Sequence, residues 1–256
     1  MDYTVSYRPG SRFGPEAVRS VSVALETYSP EQDDDLERIK CCDLGDLELP
    51  FGNVATSLKR IEETARELAG TGKFPLFIGG EHLITYALVK GVLPFYPDLA
   101  VVHFDAHADL RREYMGEELS HATVMRHVVE MVGAGNLYQL GIRSGTREEF
   151  AAARQVARIY PGQVLEPLAE VLEEVGTRPV YLTLDIDVVD PAFAPGTGTP
   201  EPGGCTAREI LQAVRTLGRA RVVAMDLVEI APDHDLSGRT ALLGAKIIRE
   251  ALLAYV

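Results

Sequence analysis

Short apolar runs alternate along this chain with segments whose apolar residues recur every three or four positions. The runs Phe74 to Ile78, Ala100 to Asp105, Leu137 to Ile142, Val156 to Tyr160, Val180 to Asp185 and Arg221 to Val228 read as strands. Between them lie helical patterns with readable starts. Asn53 is placed to cap a helix carrying Val54, Leu58, Ile61, Ala65 and Leu68 on one face, and Gly70 and Gly72 end it. Thr146 with Glu149, and Thr206 with Glu209, have capping-box spacing. A last helix is predicted from about Thr240 to the C-terminus. Nearly continuous apolar strands separated by helices predict an α/β fold with a mostly parallel sheet covered on both faces. The longest irregular stretches are Thr27 to Asp35, Arg111 to Ser120, Pro191 to Gly204 and Ala231 to Arg239. Three of them directly follow strands, and ligands of open α/β sheets bind where such loops emerge. With no repeat, low-complexity stretch or linker, residues 1–256 are expected to form a single domain.

Composition adds exclusions. Hydrophobic residues make up 46% and charged residues 25%, ordinary for a globular protein. The net charge of −13 and the lack of a basic stripe argue against nucleic acid as a partner. Acidity of this kind keeps a protein soluble, and it also suits a small cationic substrate. No apolar stretch reaches the roughly 20 residues of a membrane helix. The opening Met1-Asp2-Tyr3-Thr4 has neither region of a signal peptide. Cys41, Cys42 and Cys205 fit neither a disulfide framework nor zinc-finger spacing; they read as reduced thiols of a cytoplasmic protein, with Cys41 and Cys42 part of a strand.

Polar residues at strand ends carry the candidate chemistry. Asp105-Ala106-His107-Ala108-Asp109 closes one apolar run and Asp185-Ile186-Asp187 closes another. Residues two apart share a strand face, which groups Asp105, His107 and Asp109, and likewise Asp185 and Asp187, if the extended geometry persists. Four crowded carboxylates need compensating cations. His82, in Gly79-Gly80-Glu81-His82, begins the next helix at a third strand end. Six donors, His82, Asp105, His107, Asp109, Asp185 and Asp187, suffice for two divalent ions sharing carboxylates. Oxygen-rich ligation with some imidazole favours Mn²⁺ over Zn²⁺. Such a centre activates water near neutral pH. The plainer reading makes these aspartates helix caps or turn residues; two clusters, each ending a buried strand, weigh against it.

These motifs resemble those of the ureohydrolases, the arginase and agmatinase family, and most closely those of agmatinases. Asp105 to Asp109 is similar to their first metal signature, Asp185 to Pro200 to the second, and Gly79 to His82 to the third. The similarity runs from Arg8-Pro9-Gly10 to the last helix. It implies a three-layer α/β/α sandwich, a di-manganese centre on the six donors, and hydrolysis of a guanidinium to urea and a primary amine. By position it implies that Asp109 orients the attacking water. It likewise implies that His121 moves protons and that Glu229 grips the guanidinium as a catalytic and substrate-binding carboxylate. It also implies a homo-oligomer, trimer or hexamer, and a short N-terminal segment before Asp2 that this chain lacks.

For the substrate tail, Glu113, Glu117 and Glu118 in the loop after the first motif are expected to repel a carboxylate and tolerate an amine, as in agmatine or aminopropylagmatine. Arg111 and Arg112 keep guanidinobutyrate open. His103 is expected to be a satisfied core histidine, Asp190 a turn organiser, and His234 and Asp235 neighbours of the site. Two other readings compete: a single-zinc deacetylase on this fold, and an inactive regulatory subunit. Six ligands exceed what one zinc uses, and all eight functional positions are filled.

Overall fold

The computed structural model describes residues 1–256. Its strands are β1 (Tyr28–Ser29), β2 (Asp34–Asp35), β3 (Leu76–Ile78), β4 (Ala100–Phe104), β5 (Leu137–Leu140), β6 (Arg158–Tyr160), β7 (Pro179–Asp185) and β8 (Arg221–Val228). Its helices are α1 (Gly14–Ser22), α2 (Val54–Gly70), α3 (Ile84–Val92), α4 (Val124–Val132), α5 (Arg147–Val156), α6 (Leu168–Val175), α7 (Ala207–Leu217) and α8 (Arg239–Tyr255). Six strands form one parallel sheet in the order β3-β8-β7-β4-β5-β6; β1 and β2 form a separate antiparallel pair.

The sheet is buried on both faces, as the continuous apolar strands require. One apolar layer joins Val102, Phe104, Leu182, Leu184 and Leu227 to α1, α6, α7 and α8. The other joins Val101, Tyr181, Val223 and Val228 to α2, α3, α4 and α5. The result is a three-layer α/β/α sandwich. Asn53 Oδ1 accepts from Thr56 N and starts α2, and both predicted capping boxes form.

Several boundaries differ from the sequence reading, for local reasons. Pro75 has no N–H to give the ladder, so β3 begins at Leu76. Gly141, at φ 89°, ends β5 at Leu140. Val156 closes α5 instead of opening β6. α3 starts at Ile84, so His82 lies in the turn before it. Cys41 and Cys42 are exposed in irregular chain, not in a strand. No helix is long and apolar enough to cross a membrane.

Candidate active site

Past the carboxyl ends of β3, β8, β7 and β4, His82, Glu229, Asp185, His107 and Asp109 line one cavity of about 190 Å³, with buried Asp105 and Asp187 against them. Extended geometry does not persist past either acidic strand. Asp105 Oδ1 accepts from His107 N at 2.5 Å, and Asp185 Oδ1 accepts from Asp187 N at 2.8 Å. Each first aspartate folds its own turn, and Asp187 sits in a 3₁₀ turn spanning Ile186–Val188. Asp109 completes the group from a left-handed backbone, φ 52°. The predicted residues therefore meet, through turns and not through strand parity.

Two donor sets emerge. His82 Nδ1 lies 2.9 Å from Asp105 Oδ2, 3.3 Å from Asp109 Oδ2 and 3.4 Å from Asp185 Oδ2. That nitrogen is buried and has no hydrogen-bond partner. His107 Nδ1 lies 2.9 Å from Asp187 Oδ2 and 3.5 Å from Asp105 Oδ1. Neighbouring ligands on an ion with bonds of about 2.1 Å stand roughly 3 Å apart. Both sets have that spacing, and Asp105 gives one oxygen to each. The residues fit a pair of metal ions sharing a carboxylate.

Electrostatics agree with a site that favours positive charge. Burial, then Asp105, pushes the Asp109 carboxyl up to about 7. Burial, then Asp187 and Asp105, holds Asp185 well above the usual range. Burial alone would lower His82 and His107, yet the surrounding aspartates raise both, His107 to about 12. Imidazolium protons balance the carboxylates where divalent ions would.

Beneath the donors runs a buried polar row that the sequence reading did not find. Gln139, His103, Thr183 and Asp226 pair side by side across β5, β4, β7 and β8, and none is exposed. Gln139 Nε2 faces His103 Nδ1 at 3.1 Å, and His103 Nε2 faces Asp105 Oδ2 at 2.8 Å. With both nitrogens committed, His103 orients Asp105 and is not itself a ligand. Thr183 Oγ1 meets His82 Nε2 at 3.0 Å and donates to Asp226 Oδ1 at 2.7 Å. Asp226 Oδ2 also accepts from Tyr181 and Thr85. The available signal was a polar residue inside an apolar strand, two positions before each strand's last site residue or its pairing partner.

Glu229 sits just past β8 at φ 64°. Its Oε1 accepts from His82 N at 2.8 Å, and Oε2 has no protein partner. Burial, then the neighbouring Glu81, raises its carboxyl to about 8. His121 faces the same cavity from the turn before α4. An N-terminal strap fixes it. The backbones of Tyr3 and Thr4 donate to buried Glu81, Thr4 Oγ1 also donates to Glu81, and His121 N donates to Thr4 Oγ1 at 3.0 Å. Ser6 Oγ lies 3.3 Å from His121 Nε2. Burial holds His121 down at about 4. Glu81 and the strap were not singled out in the sequence.

The remaining expectations divide. Glu113, Glu117 and Glu118 are exposed and do not line the cavity, so the repulsion argument built on them fails. Arg112 is exposed too, whereas Arg111 lines the cavity. Asp190 organises its turn through Ala192, Gly203 and Gly204 N–H groups. His234 meets Pro9 O, and Asp235 accepts from Thr240 N at the start of α8, so both are structural.

A three-layer parallel α/β fold, with two His/Asp donor sets sharing Asp105 at its strand ends, defines a hydrolase scaffold built for two metal ions. The Arginase family profile matches residues 1–254. The agmatinase of Bacillus anthracis is 52% identical over all of this chain and 89% of that protein. The guanidinobutyrase of Pseudomonas aeruginosa is 36% identical over 98% of this chain and 83% of that protein. The crystal structure of the agmatine ureohydrolase of Thermoplasma volcanium superposes with a TM-score of 0.89 at 34% identity, covering 99% of this chain and 86% of that one. The chain belongs to the arginase family, whose members are hydrolases acting on guanidino compounds.

Proposed function

We propose that this chain is an agmatinase-type ureohydrolase that converts agmatine to urea and putrescine at a di-manganese centre. The observation that carries the dinuclear reading is Asp105, with one oxygen in each donor set. The 52% identity to an agmatinase supports the substrate. His82, Asp109 and Asp185 would hold one ion, His107 and Asp187 the other, with Asp105 between. Oxygen-rich ligation without a thiolate favours manganese. When bound, the ions supply a lowered water pKa and positive charge beside the reacting carbon.

The protein's own groups do the rest. Glu229 Oε2, without a protein partner on a side chain that lines the cavity, accepts from the planar guanidinium and orients it. Asp109 holds the attacking water by its remaining oxygen. His121 stays neutral at pH 7, because burial lowers its pKa. It therefore takes the proton the water gives up and returns it to the departing nitrogen.

Urea release is measured with added Mn²⁺ on agmatine, aminopropylagmatine, arginine and guanidinobutyrate, with metal content determined on the same sample. Two manganese ions per chain and preference for agmatine support the reading. One zinc per chain, or no urea from any guanidine, removes it. His121→Asn is expected to keep both ions and lose about 100-fold or more in turnover. Unchanged turnover takes His121 out of the mechanism. We also read the chain as one cytoplasmic domain over residues 1–256 that assembles as a homo-oligomer, trimer or hexamer, which sedimentation velocity tests.

A further inference from the structure

We infer that Arg143 is the positioning residue of the second donor set, tying the turn that carries His107 to the turn that carries Asp187. The inference rests on the dinuclear reading above and deepens it.

Arg143 lies past the end of β5, half-buried and in neither strand nor helix. Every nitrogen of its guanidinium donates to main-chain oxygen. Nε donates to Glu201 O at 3.2 Å. Nη1 donates to Gly141 O at 3.3 Å and to Val188 O at 3.2 Å, and Nη2 to Asp187 O at 2.7 Å and Glu201 O at 2.6 Å. All four acceptors are neutral carbonyls, and none is a carboxylate. A rigid fork of donors shared among carbonyls of separate segments fixes those backbones relative to one another. Here the segments are the chain leaving β5, the 3₁₀ turn that follows β7, and the loop Pro191 to Gly204.

The main chain at the same place ties the other turn. Arg143 N and Ser144 N donate to Ala106 O at 2.8 and 2.9 Å. Ala106 stands between Asp105 and His107, and its own N donates to Asp187 Oδ1 at 3.0 Å. The bonds close a circuit from Arg143 to Asp187, from Asp187 to Ala106, and from Ala106 back to Arg143. His107 Nδ1 and Asp187 Oδ2 meet 2.9 Å apart at that circuit. The guanidinium is closely seated: a Cβ on Gly204 would lie 2.6 Å from Nη2 and 2.5 Å from Val188 O.

The other donor set is held by different bonds. His82 is fixed through Glu229 and Thr183, and Asp109 O accepts from Met125 N at 3.0 Å and Arg126 N at 3.3 Å. None of these involves Arg143. Its positive charge opposes a cation nearby, so any help it gives to metal binding comes through geometry. That difference in sign makes the role testable.

The experiment is equilibrium dialysis of the full chain against Mn²⁺, with electron paramagnetic resonance on the same samples. Arg143→Lys keeps the charge and loses the fork; Arg143→Met loses both at similar length. In each variant the ion on His107 and Asp187 is expected to bind about 10-fold or more weakly while the ion on His82 stays. The spin-coupled signal of a manganese pair should then give way to that of an isolated ion. Wild-type affinity for both ions in both variants overturns the proposal. So does tighter binding in Arg143→Met, which would make Arg143 only a charge. Equal weakening of both ions, or a lost cooperative melt in both variants, makes Arg143 a general folding residue and overturns it too. A wild-type chain that binds a single ion removes the dinuclear reading itself. Two ions in wild type and two in the variants remove only the tether.

Discussion

Residues that carry the chemistry are held by residues that do not touch it. Asp226 lies two contacts from the proposed metal-binding nitrogen, acting on His82 through Thr183. Asp226→Asn keeps the volume but puts an amide N–H₂ where one carboxylate oxygen accepts, so the hydroxyls of Tyr181, Thr85 and Thr183 can no longer all donate to it. Its loss is expected to weaken metal affinity 10- to 100-fold, as partners behind metal ligands generally do. Equilibrium dialysis against Mn²⁺ measures this; unchanged affinity would make the polar row merely a folding device. Metal binding must also displace protons. The surrounding aspartates hold His82 and His107 above their ordinary pKa, and a ligating nitrogen has to be bare. Affinity should therefore rise with pH between about 6 and 8, with protons released on binding. Calorimetry in buffers of different ionisation heat reads that release, and a pH-independent affinity contradicts it. The backbone contributes as well. Asp109 and Glu229 are two of only four non-glycine residues with positive φ. Such conformations cost of order 1–3 kcal/mol each and persist where function holds them.

At the level of elements, strand and helix identities were legible because apolar periodicity and capping chemistry act locally. α2, both capping boxes and all six sheet strands follow from it. Edges were less so, since Pro75 and Gly141 end ladders by backbone chemistry that periodicity does not register. The His and Asp donors that the structure brings together were legible by residue type and spacing. The strap was not, because Thr4 and Ser6 reach His121, and Glu81 reaches Thr4, only through tertiary contact. Asp235 shows how a loop residue can be structural while lying near a site. It tethers the start of α8 through Thr240 N, Ser237 N and Ser237 Oγ. Asp235→Ala is expected to lower unfolding stability at pH 7 by about 1–2 kcal/mol. Burial would raise the Asp235 pKa, but those donors depress it below 3.8. A depressed carboxyl stabilises above its unfolded pKa and loses that contribution as pH falls through the folded one. The gap between wild type and variant in urea melts should close below about pH 4. A gap unchanged at low pH would exclude the charged cap.

Across the whole molecule, β3 lies against β8, with Leu76 opposite Met225, although nearly the entire sheet is encoded between them. The contact that joins His82 to Glu229 belongs to that pairing. Pairings between such remote segments are slow to form, because loop closure precedes any compensating contact. During synthesis β3 leaves the ribosome long before β8 does. An unfinished chain thus holds the aspartates of β4 and β7 without the edge that carries His82 in place. On the reading proposed above, the donor set around His82 is complete only once the last strand of the sheet is in place.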